Sequence, residues 1–158
     1  NHGMVIRYHH DEVGVNSRLD SIQAAILDCK LPHLDSYIAS RQRAAAFYDN
    51  AFAGNPHLLI PTRSANSTHV FHQYTLRIID VDRDALRNAL AEKGIPAMVY
   101  YPIPLHMQKA YQDPRYQTGD FPVAEKLAAC VLSLPMHTEL DEEQLTYICN
   151  HVLAFVNQ

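Results

Sequence analysis

The alternating run from Val70 to Ile79 constrains the fold of this chain more strongly than any other segment. Alternate residues fall on one face, as in a strand with one buried side: Val70, His72, Tyr74, Leu76 and Ile78. A helical pattern follows over Arg83 to Lys93, and Gly94 then provides a C-terminal cap. The sequence therefore predicts an α/β fold, in which helices cover a small sheet with mixed or antiparallel pairing.

The other elements are predicted from helical spacing and from the positions of proline and glycine. Pro32 separates the first two helices, because a proline inside a helix loses a hydrogen bond but is favourable in the first turn. The predicted helices cover residues 19–31, 32–52, 105–111, 120–130 or 122–130, and 141–156, and further strands cover 96–101 and 131–134. Residues 1–13 are expected to form a loop or frayed strand, and residues 57–69 an irregular connector.

Length and composition limit the classes of protein to which the chain can belong. Its 158 residues are 47% hydrophobic and 19% charged, which is typical of a globular domain. A net charge of -4 argues against a nucleic-acid partner or an anionic membrane, since both require clustered positive charge. No run approaches the ~20 apolar residues of a membrane span, and we expect a cytoplasmic protein. Cys29, Cys130 and Cys149 lie far apart in apolar helical patterns, which predicts reduced, buried or half-buried thiols.

A loop that turns into a helix spans residues 14–31. Ser17 or Asp20 is predicted to cap this helix, so that Asn16 and Arg18 stand on a rigid mount. An amide donor suits a phosphate oxygen, and a guanidinium forms paired hydrogen bonds with a carboxylate or phosphate. The residues alone leave a second interpretation open, in which Asn16 forms a turn and Arg18 is a surface residue at the start of the helix.

A second candidate site lies at Tyr100 and Tyr101, at the end of the predicted strand over residues 96–101. Pro102 and Pro104 impose a stiff, extended exit, which predicts two phenol groups at a fixed edge, one on each face. Ordinary packing at the edge of a strand is the alternative. His106 follows this turn, and we favour a structural role for it.

Histidine pairs in the sequence do not predict a metal site. His69 and His72 are three residues apart on a predicted strand, so their side chains face opposite sides. His9 and His10 are adjacent and diverge as well. Because a metal ion needs converging ligands, no metal ligand is assigned to any of them.

The run from Gly14 to Leu31 resembles the segment that follows the active-site lysine in the sugar aminotransferases of the DegT/DnrJ/EryC1/StrS family. These are pyridoxal-phosphate enzymes with the aspartate aminotransferase fold. The resemblance continues in order along nearly all of the chain, through residues 1–3, 8–10, 41–48, 94–108 and 133–136. It implies that the chain is a C-terminal fragment, with the cofactor-binding half of the protein upstream.

The resemblance also implies a division of the chain. Residues 1–31 would be the end of the large cofactor domain, residues 32–56 a connecting helix, and residues 57–158 the small C-terminal α/β domain of a fold-type I aminotransferase. The family's chemistry needs a lysine that forms a Schiff base with pyridoxal phosphate. The four lysines here lie among polar neighbours on predicted helices, so we assign no catalytic residue and predict that the chain alone is inactive: Lys30, Lys93, Lys109 and Lys126.

Site residues are implied by the same resemblance. The residues that match Asn16 and Arg18 reach across a dimer interface, the first toward the cofactor phosphate and the second toward the sugar. Members that act on 3-keto nucleotide sugars carry a similar Tyr-Pro-x-Pro-Leu-His run, which implies that Tyr101 and Tyr100 contact the sugar. Some members have His-Tyr where this chain has two tyrosines, and the exchange at Tyr100 removes a group that can be cationic.

The function implied is amino transfer, with glutamate as the expected donor, to a keto-sugar nucleotide by a homodimer. A dehydratase of the same superfamily, in which a histidine replaces the upstream lysine, is one alternative. A binding or dimerisation module without catalysis is the other, and it would explain the missing lysine directly.

Overall fold

The computed structural model describes residues 4–6, 9–10, 17–111 and 113–158. The chain divides into two compact units, residues 1–35 and 36–158. In chain order the elements are β1 Met4–Ile6, β2 His9–His10, α1 Ser21–Lys30, α2 Leu34–Phe52, β3 Leu58–Leu59, β4 Tyr74–Ile78, α3 Arg83–Glu92, α4 Pro122–Cys130, β5 Val131–Leu134 and α5 Glu142–Val156. Short 3₁₀ turns cover Leu31–His33, Leu105–Met107 and Lys109–Tyr111.

The first unit contains a small hairpin and helix α1. Strands β1 and β2 pair antiparallel, in agreement with the frayed strand expected there. Of the two predicted caps, Asp20 begins α1, and its side chain accepts a hydrogen bond from the Gln23 amide at 2.8 Å. Helix α1 buries none of its residues. The prediction that Cys29 is buried or half-buried is therefore wrong, and its thiol is exposed.

The exposed face of α1 leads to a prediction about association. Large apolar side chains on and around this helix are more than half exposed, and Ile22 is 76% exposed. We expect the isolated chain to self-associate, and Ile22→Glu to shift it toward the monomer in light scattering. Gln23→Glu is the matched control, because it adds the same charge on the same helix without removing apolar surface. A wild-type chain that is monomeric at all concentrations would contradict the prediction.

Helix α2 crosses from a solvated start to a buried end. Pro32 lies in the 3₁₀ turn before it, and the helix ends at Phe52, just ahead of Gly54 with a φ of +76°. Ala45, Tyr48 and Phe52 are fully buried. The buried stripe is thus limited to the second half of the helix, since the residues near Leu34 remain exposed.

Strands β3, β4 and β5 form an antiparallel sheet in that order. Strand β4 covers Tyr74–Ile78, less than the ten residues expected. The backbone at Phe71 has a φ of +49° and leaves the extended conformation, which delays the start of the strand. Asp80, with a φ of +55°, turns the chain after its end. Within β4 the alternation is confirmed, because Tyr74, Leu76 and Ile78 are buried.

The core of the second unit lies on one side of this sheet. The buried face of β4 and β5 packs against apolar residues of α2, α3 and α5. On the opposite face, Thr75 and Ser133 join the two strands through their hydroxyl groups, 2.8 Å apart. Cys149 is buried in the core, and burial raises the pKa of its thiol to about 12, so that it stays protonated.

Three local predictions need correction. Residues 96–101 form no strand, and only Met98 makes a bridge, to Ser133. Pro96 lacks an amide hydrogen, so the ladder cannot extend regularly in that direction. The connector over residues 57–69 contains β3, paired with the end of β4. The helix expected over residues 105–111 is a pair of 3₁₀ turns.

Polar side chains cap the starts of α3 and α5. Asp82 caps α3 by accepting hydrogen bonds from the amides of Asp84 at 2.9 Å and Ala85 at 3.0 Å, and Gly94 follows the helix with a φ of +72°. Asp141 and Gln144 form a reciprocal capping box at the start of α5. The predicted extents of α4, β5 and α5 are confirmed to within one residue when α4 begins at Pro122.

Candidate functional site

Tyr100 and Tyr101 lie where the chain leaves the sheet. Met98 exchanges backbone hydrogen bonds with Ser133 at 2.9 and 2.7 Å, and the chain then departs from the ladder. Tyr101 is 75% exposed and Tyr100 is 38% exposed. Their ring centroids are 5.8 Å apart, in an edge-to-face arrangement at 68°. The prediction that the rings lie on opposite faces is therefore wrong, because the regular alternation of a strand has ended before them.

The two tyrosines open onto a cavity of about 460 Å³, which we call the tyrosine groove. Its other lining residues come from the turn after the tyrosines and from α4 and the start of β5: Ile103, Pro104, Leu105, Gln108, Ala124, Leu127, Ala128 and Val131. The volume lies within the ~300–1,000 Å³ range of small-molecule sites. Aromatic and aliphatic surfaces with phenol groups at the rim suit a ring with apolar faces and polar edges, such as a sugar.

His106, Gly119, Phe121 and Glu125 form a hydrogen-bonded cluster, which we call the clasp, between the loop segments beside the groove and α4. The Glu125 carboxylate accepts hydrogen bonds from the amides of Gly119, at 2.9 and 3.0 Å, and Phe121, at 3.3 Å. His106 Nε2 lies 3.0 Å from the same carboxylate, and its ring packs on Phe121. These contacts support the structural role favoured for His106. No role was predicted for Glu125 from sequence, although an acid in the first turn of a helix is a known sign of such a cap.

This clasp predicts a dependence on acid pH. The amide of Gly119, with smaller contributions from Phe121 and His106, lowers the pKa of the Glu125 carboxyl from its usual value. A carboxyl with a lowered folded-state pKa stabilises the fold above its unfolded-state pKa, and that stabilisation is lost as pH falls through the folded-state value. We expect Glu125→Gln to abolish this acid sensitivity and to speed hydrogen exchange at the Gly119 amide at neutral pH. Glu92→Gln, an exposed residue at the end of α3, is the control, and equal exchange in both variants would refute the role of the clasp.

Arg83, at the start of α3, holds the part of the groove wall where α4 meets β5. Its Nη1 donates to the carbonyls of Ala128 at 3.2 Å and Val131 at 2.9 Å, where α4 passes into β5. The Arg83 side chain is only 10% exposed. Because both carbonyls border the groove, the start of α3 and the wall of the groove are held together.

Arg41 joins two further segments near the tyrosines. Its Nη1 donates to the carbonyls of Phe71 at 3.0 Å, His72 at 3.3 Å and Met136 at 3.3 Å. Arg41 was assigned no role from sequence, although it lies at helical spacing from the buried Ala45 and Tyr48. A cation within an otherwise apolar stripe was the available signal, since a half-buried guanidinium requires acceptors.

The other two predicted binding residues lie in the first unit. Asn16 lies outside the described residues. Arg18 is exposed, two residues ahead of the cap of α1. The structure brings Tyr100 and Tyr101 together, and it describes Arg18 in a separate unit.

The four lysines of the chain do not have the surroundings of an attachment point for pyridoxal phosphate. All four are described, and each is exposed on or beside a helix or turn. A Schiff-base lysine must instead be enclosed beside its cofactor so that it can exchange protons with the substrate. The described part of this chain does not fit covalent attachment of the group, and no covalent step is derived from it.

The described residues show neither a cluster of metal ligands nor a helix suited to a membrane. His69 Nδ1 accepts a hydrogen bond from the Phe71 amide at 2.8 Å and is occupied locally. Within residues 17–111 and 113–158, together with the two short strands, no three acidic, histidine or cysteine side chains gather as metal ligands would. No helix among these residues combines the length and apolarity needed to cross a bilayer.

Two curated proteins illustrate what the sequence is similar to. A UDP-N-acetyl-3-dehydro-alpha-D-glucosamine 3-aminotransferase from Acidithiobacillus ferrooxidans is 48% identical over 148 residues, which is 94% of this chain and 39% of that protein. A pleiotropic regulatory protein from Geobacillus stearothermophilus is 44% identical over 98% of this chain and 41% of its own length. The chain thus spans about 40% of the length of the curated relatives it matches.

A solved structure and a family model agree with these matches. The crystal structure of DesV from S. venezuelae, in complex with a ketimine intermediate, superposes with a TM-score of 0.86 at 36% identity, over 100% of this chain and 42% of DesV. This supports the predicted likeness to part of an aminotransferase. The model of the DegT/DnrJ/EryC1/StrS aminotransferase family matches residues 1–153. On that match across almost its whole length, the chain belongs to the DegT/DnrJ/EryC1/StrS aminotransferase family.

Proposed function

We propose that this chain is the C-terminal portion of a pyridoxal-phosphate-dependent aminotransferase that transfers an amino group from glutamate to keto-sugar nucleotides. The observation that carries the proposal is the tyrosine groove, in which two exposed phenols border a cavity of about 460 Å³ in a member of a sugar aminotransferase family. The relative from Acidithiobacillus ferrooxidans is named for amination of a 3-keto sugar nucleotide, which favours that substrate class here.

The proposal assigns the chain a binding role and leaves the covalent chemistry to the upstream half. Pyridoxal phosphate, when bound, supplies the electron sink for amino transfer. Residues 1–31 complete the large domain, residues 32–56 connect, and residues 57–158 form the small domain. In this arrangement the chain by itself is inactive, because its lysines are all solvated.

Four residues of this chain serve the site in the proposal. Asn16 donates its amide to the cofactor phosphate, and Arg18 binds the sugar nucleotide, both in the active site of the partner subunit of a homodimer. Tyr100 and Tyr101 pack on the sugar ring and donate their hydroxyl groups to its substituents. The enzyme acts in the cytoplasm on a small-molecule nucleotide sugar and has no nucleic-acid partner.

The direct test is an assay of the full-length enzyme. With pyridoxal phosphate, glutamate and a UDP-linked 3-keto sugar, we expect formation of the amino sugar, detected by mass spectrometry. Tyr101→Ala should lower kcat/KM about tenfold, because an aromatic contact and a hydrogen bond are lost, and Tyr101→Phe should have a smaller effect. Tyr147→Phe, an exposed tyrosine on α5, is the matched control. Loss of water from the sugar without amino transfer would instead support the dehydratase, and binding without turnover would support the non-catalytic module.

A further inference from the structure

A second, smaller cavity adjoins the tyrosine groove. It has a volume of about 230 Å³, and Tyr100 lines both cavities. His72 and Gln73 line it just ahead of β4, and Met98 and Pro135 provide apolar surface. We call it the side pocket. Its volume is below the ~300–1,000 Å³ of sites that hold a whole ligand, so it suits one substituent of a molecule bound in the groove.

The walls of the side pocket are fixed by hydrogen bonds from buried elements. Arg41 holds the carbonyls of His72 and Met136, which lie on two different segments of the wall. The hydroxyl of Tyr48, also on α2, donates to the carbonyl of Pro135 at 2.9 Å. The pocket is therefore a preformed feature of the second unit, which lowers the entropic cost of binding.

Two polar side chains in this pocket remain available to a ligand. Gln73 lines the pocket together with Ser133. Thr75 already pairs with the hydroxyl of Ser133, so that group is occupied. Among the described residues, by contrast, none forms a hydrogen bond with the side-chain amide of Gln73 or the imidazole of His72.

We propose that the side pocket binds a neutral acetamido substituent next to the keto group of the sugar. This rests on the proposed function, since it takes the sugar ring to lie against Tyr100. The amide of Gln73 offers both a donor and an acceptor, which matches both polar atoms of an acetamido group. Met98 and Pro135 provide the apolar contact that its methyl group requires.

The same lining disfavours a carboxylate substituent. Among the residues that the structure describes, no lysine or arginine side chain lines the pocket, and the Arg41 guanidinium is engaged with three backbone carbonyls. A carboxylate would therefore lose its hydration without gaining a permanent opposite charge. The side pocket thus suits a neutral acetamido substituent in preference to a charged one.

The experiment compares two substrates on the full-length enzyme loaded with pyridoxal phosphate. UDP-2-acetamido-2-deoxy-3-ketoglucose and UDP-3-ketoglucose differ only in the group that the side pocket would bind. We expect the wild type to prefer the acetamido sugar. Gln73→Leu, which keeps the bulk and removes both hydrogen-bonding atoms, should lower kcat/KM for that sugar about 10- to 100-fold and leave the hydroxy sugar nearly unchanged.

Two further variants make the outcome decisive. His72→Leu, at an exposed position, should reduce the same preference even if Gln73→Leu folds poorly. Gln158→Leu, at the last residue of the chain, is the matched control and should leave the preference intact. Equal losses on both sugars, or an unchanged preference in both pocket variants, would overturn the acetamido assignment while the proposed function stands. Failure of the wild type to aminate either sugar would overturn the proposed function and this inference together.

Discussion

In the full-length enzyme, Arg18→Ala is expected to lower kcat/KM for the sugar nucleotide about 10- to 100-fold. Arg18 is exposed and is proposed to bind an anionic substrate through charge-assisted hydrogen bonds, each worth about 1.5–3 kcal/mol. Steady-state kinetics at saturating glutamate measure the effect. Arg87→Ala, which removes an exposed arginine on α3, is the control and should be neutral. Unchanged kinetics in Arg18→Ala would remove this residue from the site.

Mixed dimers test whether Arg18 serves the site of the partner subunit. One subunit carries Arg18→Ala, and the other is inactivated at the upstream Schiff-base lysine. Random mixing makes about half of the dimers mixed. If Arg18 acts across the interface, each mixed dimer has one complete site out of two. About one quarter of the wild-type activity should then return. If Arg18 acts within its own subunit, no complete site forms and the mixture stays inactive. The two outcomes separate the proposed arrangement from a local one.

The largest effect on stability is expected from Leu76→Ala in the central strand β4. Leu76 is fully buried between α2, α3 and α5 and the neighbouring strands. Truncating a buried leucine removes its transfer free energy and leaves a cavity, which costs about 2–5 kcal/mol. Thermal unfolding of the full-length protein, followed by calorimetry, should show an earlier transition for the variant.

Leu59→Ala provides the matched control for this prediction. Leu59 pairs with the same strand but is 43% exposed, so its truncation should cost less than about 1 kcal/mol. Similar losses for the two variants would mean that the sheet does not bury one face as described.

The elements that were predicted well depend on local chemistry. Strand β5, helix α4 and helix α5 were predicted to within one residue, because Pro122 fits a first helical turn and Asp141 forms a capping box with Gln144. The prolines after Tyr100 and Tyr101 also give a recognisable local signal of a stiff exit, while the contact of these tyrosines with a sugar stays a prediction. In each case the signal lies within a few residues of its effect.

The features that were missed depend on contacts between distant segments. A strand over residues 96–101 matched local preferences, but pairing is limited to Met98 and Ser133. The role of Arg41 rests on acceptors that only the fold brings near it, and the contact of Glu125 with His106 likewise joins separate segments. No spacing rule predicts such contacts, because their partners lie up to 95 residues away along the chain.

The three carbonyls gathered by Arg41 have a consequence for how substrate choice could change. A substitution on α2 would reshape the side pocket without altering any residue that lines it, because His72 and Met136 depend on the same guanidinium. Two relatives with identical pocket linings could then accept different sugars. In the proposed site, a helix that does not contact the sugar would thereby influence which sugar binds.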